Sequence, residues 1–155
     1  MKLSTICVQG AYRPKNGEPR VVPIVQSTTY KYDLKKSGYF YSRLQNPTCD
    51  TVAAKIAMLE GGVAGMLTGS GQAANFYAVF NIAGAGDHIV SSTAIYGGTY
   101  NLFNVTLRKL GIDFTFVSPS ATEEELAAAI RPNTKAIFGE TISHPSLEIL
   151  DIEKF

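Results

Sequence analysis

The chain has 155 residues, of which 45% are hydrophobic and 17% charged, and its formal net charge is +1. This composition predicts a globular domain and excludes a disordered chain. The scattered, balanced charges exclude a surface built for nucleic acid or for an anionic membrane. Since no apolar run approaches the ~20 residues of a membrane span and no signal peptide is recognisable, we expect a cytoplasmic protein. Cys7 and Cys49 lie in no metal-binding motif, so we expect free thiols and no metal site.

The first 45 residues show no helical periodicity. We therefore expect residues 1–45 to form an extended arm, with at most a short strand, that lies across another surface. Asn46 and Pro47 then predict the start of a helix, and Gly61 and Gly62 predict its end. The large apolar residues of this helix share one predicted face: Val52, Ile56 and Leu59.

From residue 46 onward, predicted helices alternate with short apolar strands. Helices are predicted over 71–83 and 100–110, and another follows the capping box of Thr122 and Glu125. The strands are predicted over four ranges: 63–68, 88–92, 113–118 and 134–141. This alternation predicts an α/β fold with a parallel sheet of about four strands. His88, at a strand start, is predicted to lie at the surface, and residues 151–155 predict the beginning of a further helix.

The turn between residues 68 and 72 joins a predicted strand to a helix. Gly69 and Gly71 allow close backbone approach, the first helical N–H groups point outward, and the Ser70 hydroxyl adds a donor, so the turn suits a phosphate. The alternative is a plain turn that needs glycine for packing. A nicotinamide-dinucleotide site fits the glycine spacing but lacks an acidic residue at the end of the next strand, and no P-loop lysine follows.

Two aromatic residues suggest what else the ligand carries. Tyr96 follows the strand over 88–92 at the same sheet edge as the glycine turn, where its ring can stack on a flat heterocycle. In the arm, Tyr41 and Arg43 are two residues apart and therefore face the same side of an extended segment. A phenol beside a guanidinium suits a phosphate. A planar ring that carries one phosphate describes pyridoxal phosphate (PLP).

Several motifs occur together in order: YSRLQNPT, LEGG, GSGQAAN, GDHIVSSTAIYGGTYNLF and GETISHPSLEILDIE. With them the chain resembles the PLP-dependent enzymes of cysteine and methionine metabolism, the cystathionine γ-synthase-like group, and most of all its O-acetylhomoserine sulfhydrylase branch. The resemblance implies the first part of an aspartate aminotransferase-like, fold type I large domain over residues 46–155. It also implies that residues 1–45 contribute to a neighbouring subunit in a homotetramer, a dimer of dimers.

The resemblance also implies roles for individual residues. The backbone N–H groups of Gly71 and Gln72 would bind the cofactor phosphate, and Tyr96 would stack on the pyridine ring. Glu140 would stand near the cofactor at the end of the fourth predicted strand. His144 replaces an asparagine that the family places against the cofactor or the substrate; the alternative for His144 is a turn residue only.

Tyr41 and Arg43 would complete the phosphate site of a neighbouring subunit. The implied reaction is the replacement of acetate on O-acetylhomoserine by sulfide or methanethiol, which gives homocysteine or methionine. A methionine γ-lyase and a cystathionine γ-synthase or lyase remain alternatives, as does a non-catalytic anion-binding fragment that acts in assembly.

Two further departures from the family pattern concern length. The arm is short between Tyr32 and Gly38, where residues are expected to be deleted or missing. The Schiff-base lysine of the family is expected beyond Phe155, so these 155 residues alone are expected to be inactive.

Overall fold

The computed structural model describes residues 1–31 and 38–155, which form two compact units, Met1–Thr68 and Gly69–Phe155. The expected shortening of the arm after Tyr32 lies outside the described residues. The first unit contains the helices α1 (Leu3–Gln9) and α2 (Pro47–Glu60). The second contains the remaining described elements: helices α3 (Gly71–Ile82), α4 (Gly97–Asn101) and α5 (Glu123–Ala129), a π-helical turn (Leu102–Leu107), and strands β1 (His88–Ser92), β2 (Asp113–Val117) and β3 (Thr134–Phe138). Across the described ranges, no helix is long and apolar enough to cross a membrane.

Helix α2 begins and ends where its sequence predicts. The side chain of Asn46 accepts a hydrogen bond from the Thr48 N–H at 2.9 Å, and Pro47 is the first helical residue. These groups satisfy or remove N–H donors that the helix cannot pair internally. Gly61 ends the helix with a φ of 67°, a left-handed conformation that glycine adopts without steric cost.

The packed face of α2 is not the one that its large residues predict. Val52 and Ile56 are exposed, whereas Ala53 and Ala57 are buried. The chain after the helix returns close to this small-residue face: a Cβ on Gly65 would lie 2.6 Å from the Ala53 carbonyl oxygen. Small side chains are needed there because backbone approaches backbone.

Helix α1 corrects the expectation that the arm contains no helix. It has seven residues, no side-chain cap and no buried residue, and it contacts α2. Seven residues are too few to show a 3.6-residue apolar period, and a helix this short depends on tertiary contact. The rest of the described arm is irregular or extended, with one isolated antiparallel bridge between Thr29 and Tyr41.

The strand predicted over 63–68 is wrong. Within the described chain these residues form no strand, and their apolar side chains are solvent-exposed, Val63 completely so and Met66 at 71%. An apolar run of strand length becomes a strand only if a neighbouring strand pairs with its backbone groups. The segment makes no such pairing in the described chain.

The sheet of the second unit is parallel, as predicted, with three strands among the described residues in the order β2-β1-β3. Strand β1 spans the predicted residues 88–92, and all five of its residues are buried. The register pairs Ser92 with Val117 and Ser91 with Phe138. A central strand covered on both faces explains why the sequence of β1 shows no polar alternation.

The core of this unit forms between the sheet and the helices. Phe103, Leu107, Ile89 and Ile112 are its largest apolar residues with less than 2% exposure. The Phe103 ring stacks on Phe114 at a centroid distance of 4.9 Å and meets Phe138 edge-on at 4.8 Å. Burying a side chain of this size contributes about 1.5–3 kcal/mol, so Phe103 and its neighbours hold helix and sheet together.

The sequence predicts one helix over 100–110, but the helix begins earlier, at Gly97, and passes into the π-helical turn. Both Phe103 and Leu107 of that turn point into the core. The capping box is confirmed, with the Thr122 side chain bonded to the Glu125 N–H and the reciprocal bond also present. The helix predicted over 151–155 is wrong: these residues form a single turn.

His88 corrects another expectation, because it is fully buried rather than at the surface. Its Nδ1 lies 2.7 Å from Thr134 Oγ1 and its Nε2 lies 2.9 Å from Thr115 Oγ1, so it links β1 to both neighbouring strands. Burial lowers the pKa of His88, and the nearby Arg131 guanidinium lowers it further. The folded protein therefore holds this imidazole neutral.

This lowered pKa predicts a loss of stability in acid. The unfolded chain binds a proton on His88 below about pH 6.5 that the folded chain excludes, so the free energy of unfolding should fall as pH decreases below that value. The slope for one proton is at most about 1.4 kcal/mol per pH unit. Urea unfolding of His88→Gln between pH 7 and 5 should show a shallower slope than the wild type. Equal slopes in His88→Gln and the wild type would contradict the assignment.

Candidate functional site

The N-terminal turn of α3 carries the predicted phosphate-binding residues. Ser70 caps this helix: its Oγ accepts a hydrogen bond from the Ala73 N–H, and its carbonyl accepts one from the Ala74 N–H, both at 3.1 Å. The N–H groups of Gly71 and Gln72 form no hydrogen bond with any described residue. Two N–H donors without a described partner, at the positive end of a twelve-residue helix, are groups that could bind an anion.

Among residues 1–31 and 38–155, no atom lies close in front of Gly69 and Gly71. A Cβ on either glycine would meet no atom of these residues within 4 Å. Packing within the second unit therefore does not require these two residues to be glycine. The alternative reading of Gly71, a plain turn that needs glycine for packing, is not supported. The open approach leaves room for a ligand beside the two N–H groups.

The side chain of Gln72 points back into the protein. Its Nε2 donates to Thr99 Oγ1 at 2.9 Å, and Nδ2 of Asn75 donates to the same oxygen at 3.1 Å. Sequence reasoning missed Thr99 and Asn75, since contacts between two helices leave no local signal. They fix the start of α3 against α4.

Tyr96 caps α4 at the carboxyl end of β1, and its side chain is 46% exposed. The ring lies over the backbone of Gly98, where a Cβ would come within 2.5 Å of a Tyr96 ring carbon. Glycine at position 98 is thus needed for the ring to take this position. An exposed aromatic face at the sheet edge can stack on a flat ligand.

Glu140 lies two residues after β3 and holds two segments through their backbones. Its Oε1 accepts a hydrogen bond from the Tyr96 N–H at 2.9 Å, and its Oε2 accepts one from the His144 N–H at 3.2 Å. The imidazole of His144 lies beside the Tyr96 ring, with centroids 5.7 Å apart and planes tilted by 50°. The structure thus brings together three of the residues that sequence reasoning selected.

The loop that carries His144 is held by its own hydrogen bonds. Ser143 is buried, and its Oγ accepts a bond from the Glu148 N–H at 2.9 Å and lies 2.7 Å from Ser146 Oγ. An antiparallel bridge between Ile142 and Ile149 closes the loop at its base. The position of His144 is therefore set by the loop as well as by Glu140.

A continuous hydrogen-bonded path runs through the site. Gln72 binds the Thr99 side chain, the Thr99 N–H donates to the Tyr96 carbonyl at 2.9 Å, and Glu140 joins Tyr96 to His144. All five residues belong to the second unit. The path connects the helix start that offers free N–H groups to the exposed aromatic ring and the carboxylate.

Tyr41 and Arg43 lie in the first unit and contact each other. Nη2 of Arg43 donates to the Tyr41 hydroxyl at 2.9 Å, and the guanidinium carbon lies 5.2 Å from the centre of the Tyr41 ring. The extended segment expected here is wrong: residues 42–44 form a turn, closed by hydrogen bonds from the Leu44 and Gln45 N–H groups to the Tyr41 carbonyl, and this turn brings the two side chains together. Arg43 is exposed. A permanently charged, exposed guanidinium can form paired hydrogen bonds with a phosphate.

Metal chemistry finds no support in residues 1–31 and 38–155. No group of three or more His, Cys, Asp or Glu side chains there is placed to hold an ion. Cys7 and Cys49 are free and exposed. The groups assembled at the site are N–H donors, hydroxyls that can donate or accept, and one carboxylate, whose oxygens accept two backbone N–H bonds. The N–H and hydroxyl donors suit an anion.

Known proteins share both this sequence and this fold. O-acetyl-L-homoserine sulfhydrylase of Corynebacterium glutamicum is 48% identical over an alignment of 143 positions, which covers 86% of this chain and 33% of that protein. O-acetyl-L-homoserine sulfhydrylase 1 of Thermus thermophilus is 41% identical and is matched by 99% of this chain. The chain spans 33% and 39% of the length of these two relatives.

A solved structure gives the same result. The O-acetylhomoserine (thiol)-lyase structure from Campylobacter jejuni, which contains N'-pyridoxyl-lysine-5'-monophosphate, superposes with a TM-score of 0.87 at 38% identity. The match covers 99% of this chain and 40% of that one. The predicted fold class, the α/β fold of the fold type I PLP enzymes, is thereby confirmed. Since the family pattern matches residues 4–155, the chain belongs to the PLP-dependent enzymes of Cys/Met metabolism.

Proposed function

We propose that the complete protein is a PLP-dependent O-acetylhomoserine sulfhydrylase. In this reaction the Cγ–O bond of O-acetylhomoserine breaks, acetate leaves, and a Cγ–S bond forms to sulfide or methanethiol. The names of relatives at 48% and 41% identity support the substrate class. The observation that carries the proposal is the hydrogen-bonded path from the α3 start to Glu140.

The residues of the second unit fit a phosphorylated pyridine. The free N–H groups of Gly71 and Gln72 would donate hydrogen bonds to the phosphate, with the Ser70 hydroxyl beside them. The exposed ring of Tyr96 would stack on the pyridine and keep water from one face. Bound PLP supplies an electron sink for the carbon that bears the amino group, and the protein orients the reacting groups.

Glu140 and His144 would shape the side of the site that faces the substrate. The Glu140 carboxylate accepts hydrogen bonds from the backbone N–H groups of Tyr96 and His144 and thereby holds the main chain at both residues. The imidazole of His144, beside Tyr96, would offer a hydrogen-bond donor to the cofactor or the substrate.

Tyr41 and Arg43 would serve the site of a neighbouring subunit in a homo-oligomer, a dimer of dimers. Their contact with each other leaves the guanidinium exposed and oriented for a phosphate. The smallest competent unit would then be a dimer. We place this oligomer in the cytoplasm.

The activity is tested directly with the complete protein, PLP, O-acetylhomoserine and sulfide. We expect homocysteine and acetate in equal amounts, and methionine when methanethiol replaces sulfide. Methionine alone should yield no 2-oxobutanoate. Release of 2-oxobutanoate from methionine, without homocysteine synthesis, would identify a γ-lyase instead.

Arg43→Ala in the complete protein should weaken PLP retention while the fold remains intact. A hydrogen bond to a charged group contributes about 1.5–3 kcal/mol, so the dissociation constant of PLP should rise at least about tenfold. The exposed Arg20→Ala, in the same unit, is the matched control and should bind PLP like the wild type. Equilibrium titration measures both; an unchanged constant for Arg43→Ala would remove this residue from the site.

Glu140→Gln should lower kcat/KM by roughly tenfold. The amide keeps the size of the side chain but loses the charge and turns an NH₂ group towards one of the two N–H donors. Steady-state kinetics and thermal unfolding should be measured together, with the exposed Glu153→Gln as the control. Wild-type kcat/KM in Glu140→Gln would show that the two hydrogen bonds do not matter for catalysis.

A further inference from the structure

Thr99 belongs to the site, but it has no part of its own in the proposed reaction. Its side chain is 1% exposed, so it cannot touch a ligand in the open space before α3. Yet its hydroxyl oxygen receives two hydrogen bonds, from Gln72 Nε2 at 2.9 Å and from Asn75 Nδ2 at 3.1 Å. A hydroxyl has two acceptor positions, and both are used here.

The two donors lie one turn apart on the same side of α3. Gln72 is also one of the two residues whose backbone N–H remains free. The bond to Thr99 therefore fixes the very residue that offers an N–H group to an anion.

Thr99 also holds the aromatic side of the site. Its backbone N–H donates to the carbonyl of Tyr96 at 2.9 Å and closes the first turn of α4. The side chain of Thr99 thus determines where the phosphate-binding turn lies, and its main chain determines where Tyr96 lies. A phosphorylated ring must contact the start of α3 with its phosphate and Tyr96 with its ring at the same time. The distance between these two parts of the protein therefore matters for affinity.

We propose that Thr99 is a positioning residue that sets the spacing between the free N–H groups of α3 and the ring of Tyr96. This inference rests on the proposed function, since it concerns the affinity for PLP. It predicts that the hydroxyl, rather than the volume of the side chain, is what the site needs.

The test compares Thr99→Val, which keeps the shape and removes the hydroxyl, with Thr99→Ser, which keeps the hydroxyl. Measured by equilibrium titration of the complete apoprotein, the dissociation constant of PLP should rise roughly tenfold in Thr99→Val, because two hydrogen bonds are lost. In Thr99→Ser it should stay within about twofold. The circular dichroism band of bound PLP should change in Thr99→Val only.

Thr115→Val is the matched control for stability. The Thr115 hydroxyl also has two partners, at 2.9 Å from His88 Nε2 and 3.0 Å from Arg131 Nη2, and lies on β2 away from the site residues. This variant should lower the melting temperature and leave the PLP dissociation constant unchanged. An equal rise of that constant in Thr115→Val would mean that any loss of stability weakens PLP binding, and it would overturn the inference.

A second variant keeps the inference testable if Thr99→Val folds poorly. Gln72→Met keeps the backbone N–H and removes one of the two hydrogen bonds to Thr99, so it should weaken PLP binding, but by less than Thr99→Val. In the double variant the two effects should add only in part, because both single variants break the bond between Gln72 and Thr99. Full additivity would overturn the inference. If the wild type itself binds no PLP, the proposed function fails; if it binds PLP and Thr99→Val binds equally well, only the positioning role fails.

Discussion

Parallel pairing of β1 with both of its neighbours is the constraint on which the candidate site depends. All five residues of β1 are buried, and its register with β3 is fixed by the pair Ser91 and Phe138. The segments that follow β1 and β3 must therefore begin at the same edge of the sheet and close to each other. Tyr96 lies in the first segment and Glu140 in the second, and that is why the Glu140 carboxylate can accept a hydrogen bond from the Tyr96 backbone N–H.

A proposed phosphate site that consists of backbone groups is difficult to predict from a sequence. The N–H groups of Gly71 and Gln72 carry no side-chain signature, and the same glycine spacing occurs in dinucleotide-binding turns. Residues at the end of the next strand distinguish a PLP site from a dinucleotide site: no acidic side chain ends β1, whereas Tyr96 follows it. The ligand class was thus predictable from chemistry at the neighbouring strand end and not from the glycine turn itself.

The elements that the sequence predicts well are those with local causes. The caps at Asn46 and Thr122 are side chain to backbone contacts within three residues, and β1 is a short apolar run bounded by turns. The failures depend on distant partners. His88 can be buried because two threonines on the neighbouring strands form hydrogen bonds with its ring. Residues 63–68 lack a strand to pair with in the described chain. Thr99 binds two residues of α3 that precede it by 24 and 27 positions.

A common arrangement explains why the side chains of the site can face a ligand. Glu140 holds Tyr96 and His144 by their N–H groups, and Thr99 holds Tyr96 by its carbonyl. Gln72 has the opposite arrangement, since its side chain is hydrogen-bonded to the protein and its backbone N–H is free. In each case one part of the residue is fixed by the protein and the other part is left to bind. A carboxylate suits the central position because it offers only acceptors, so both of its oxygens can serve N–H donors at once.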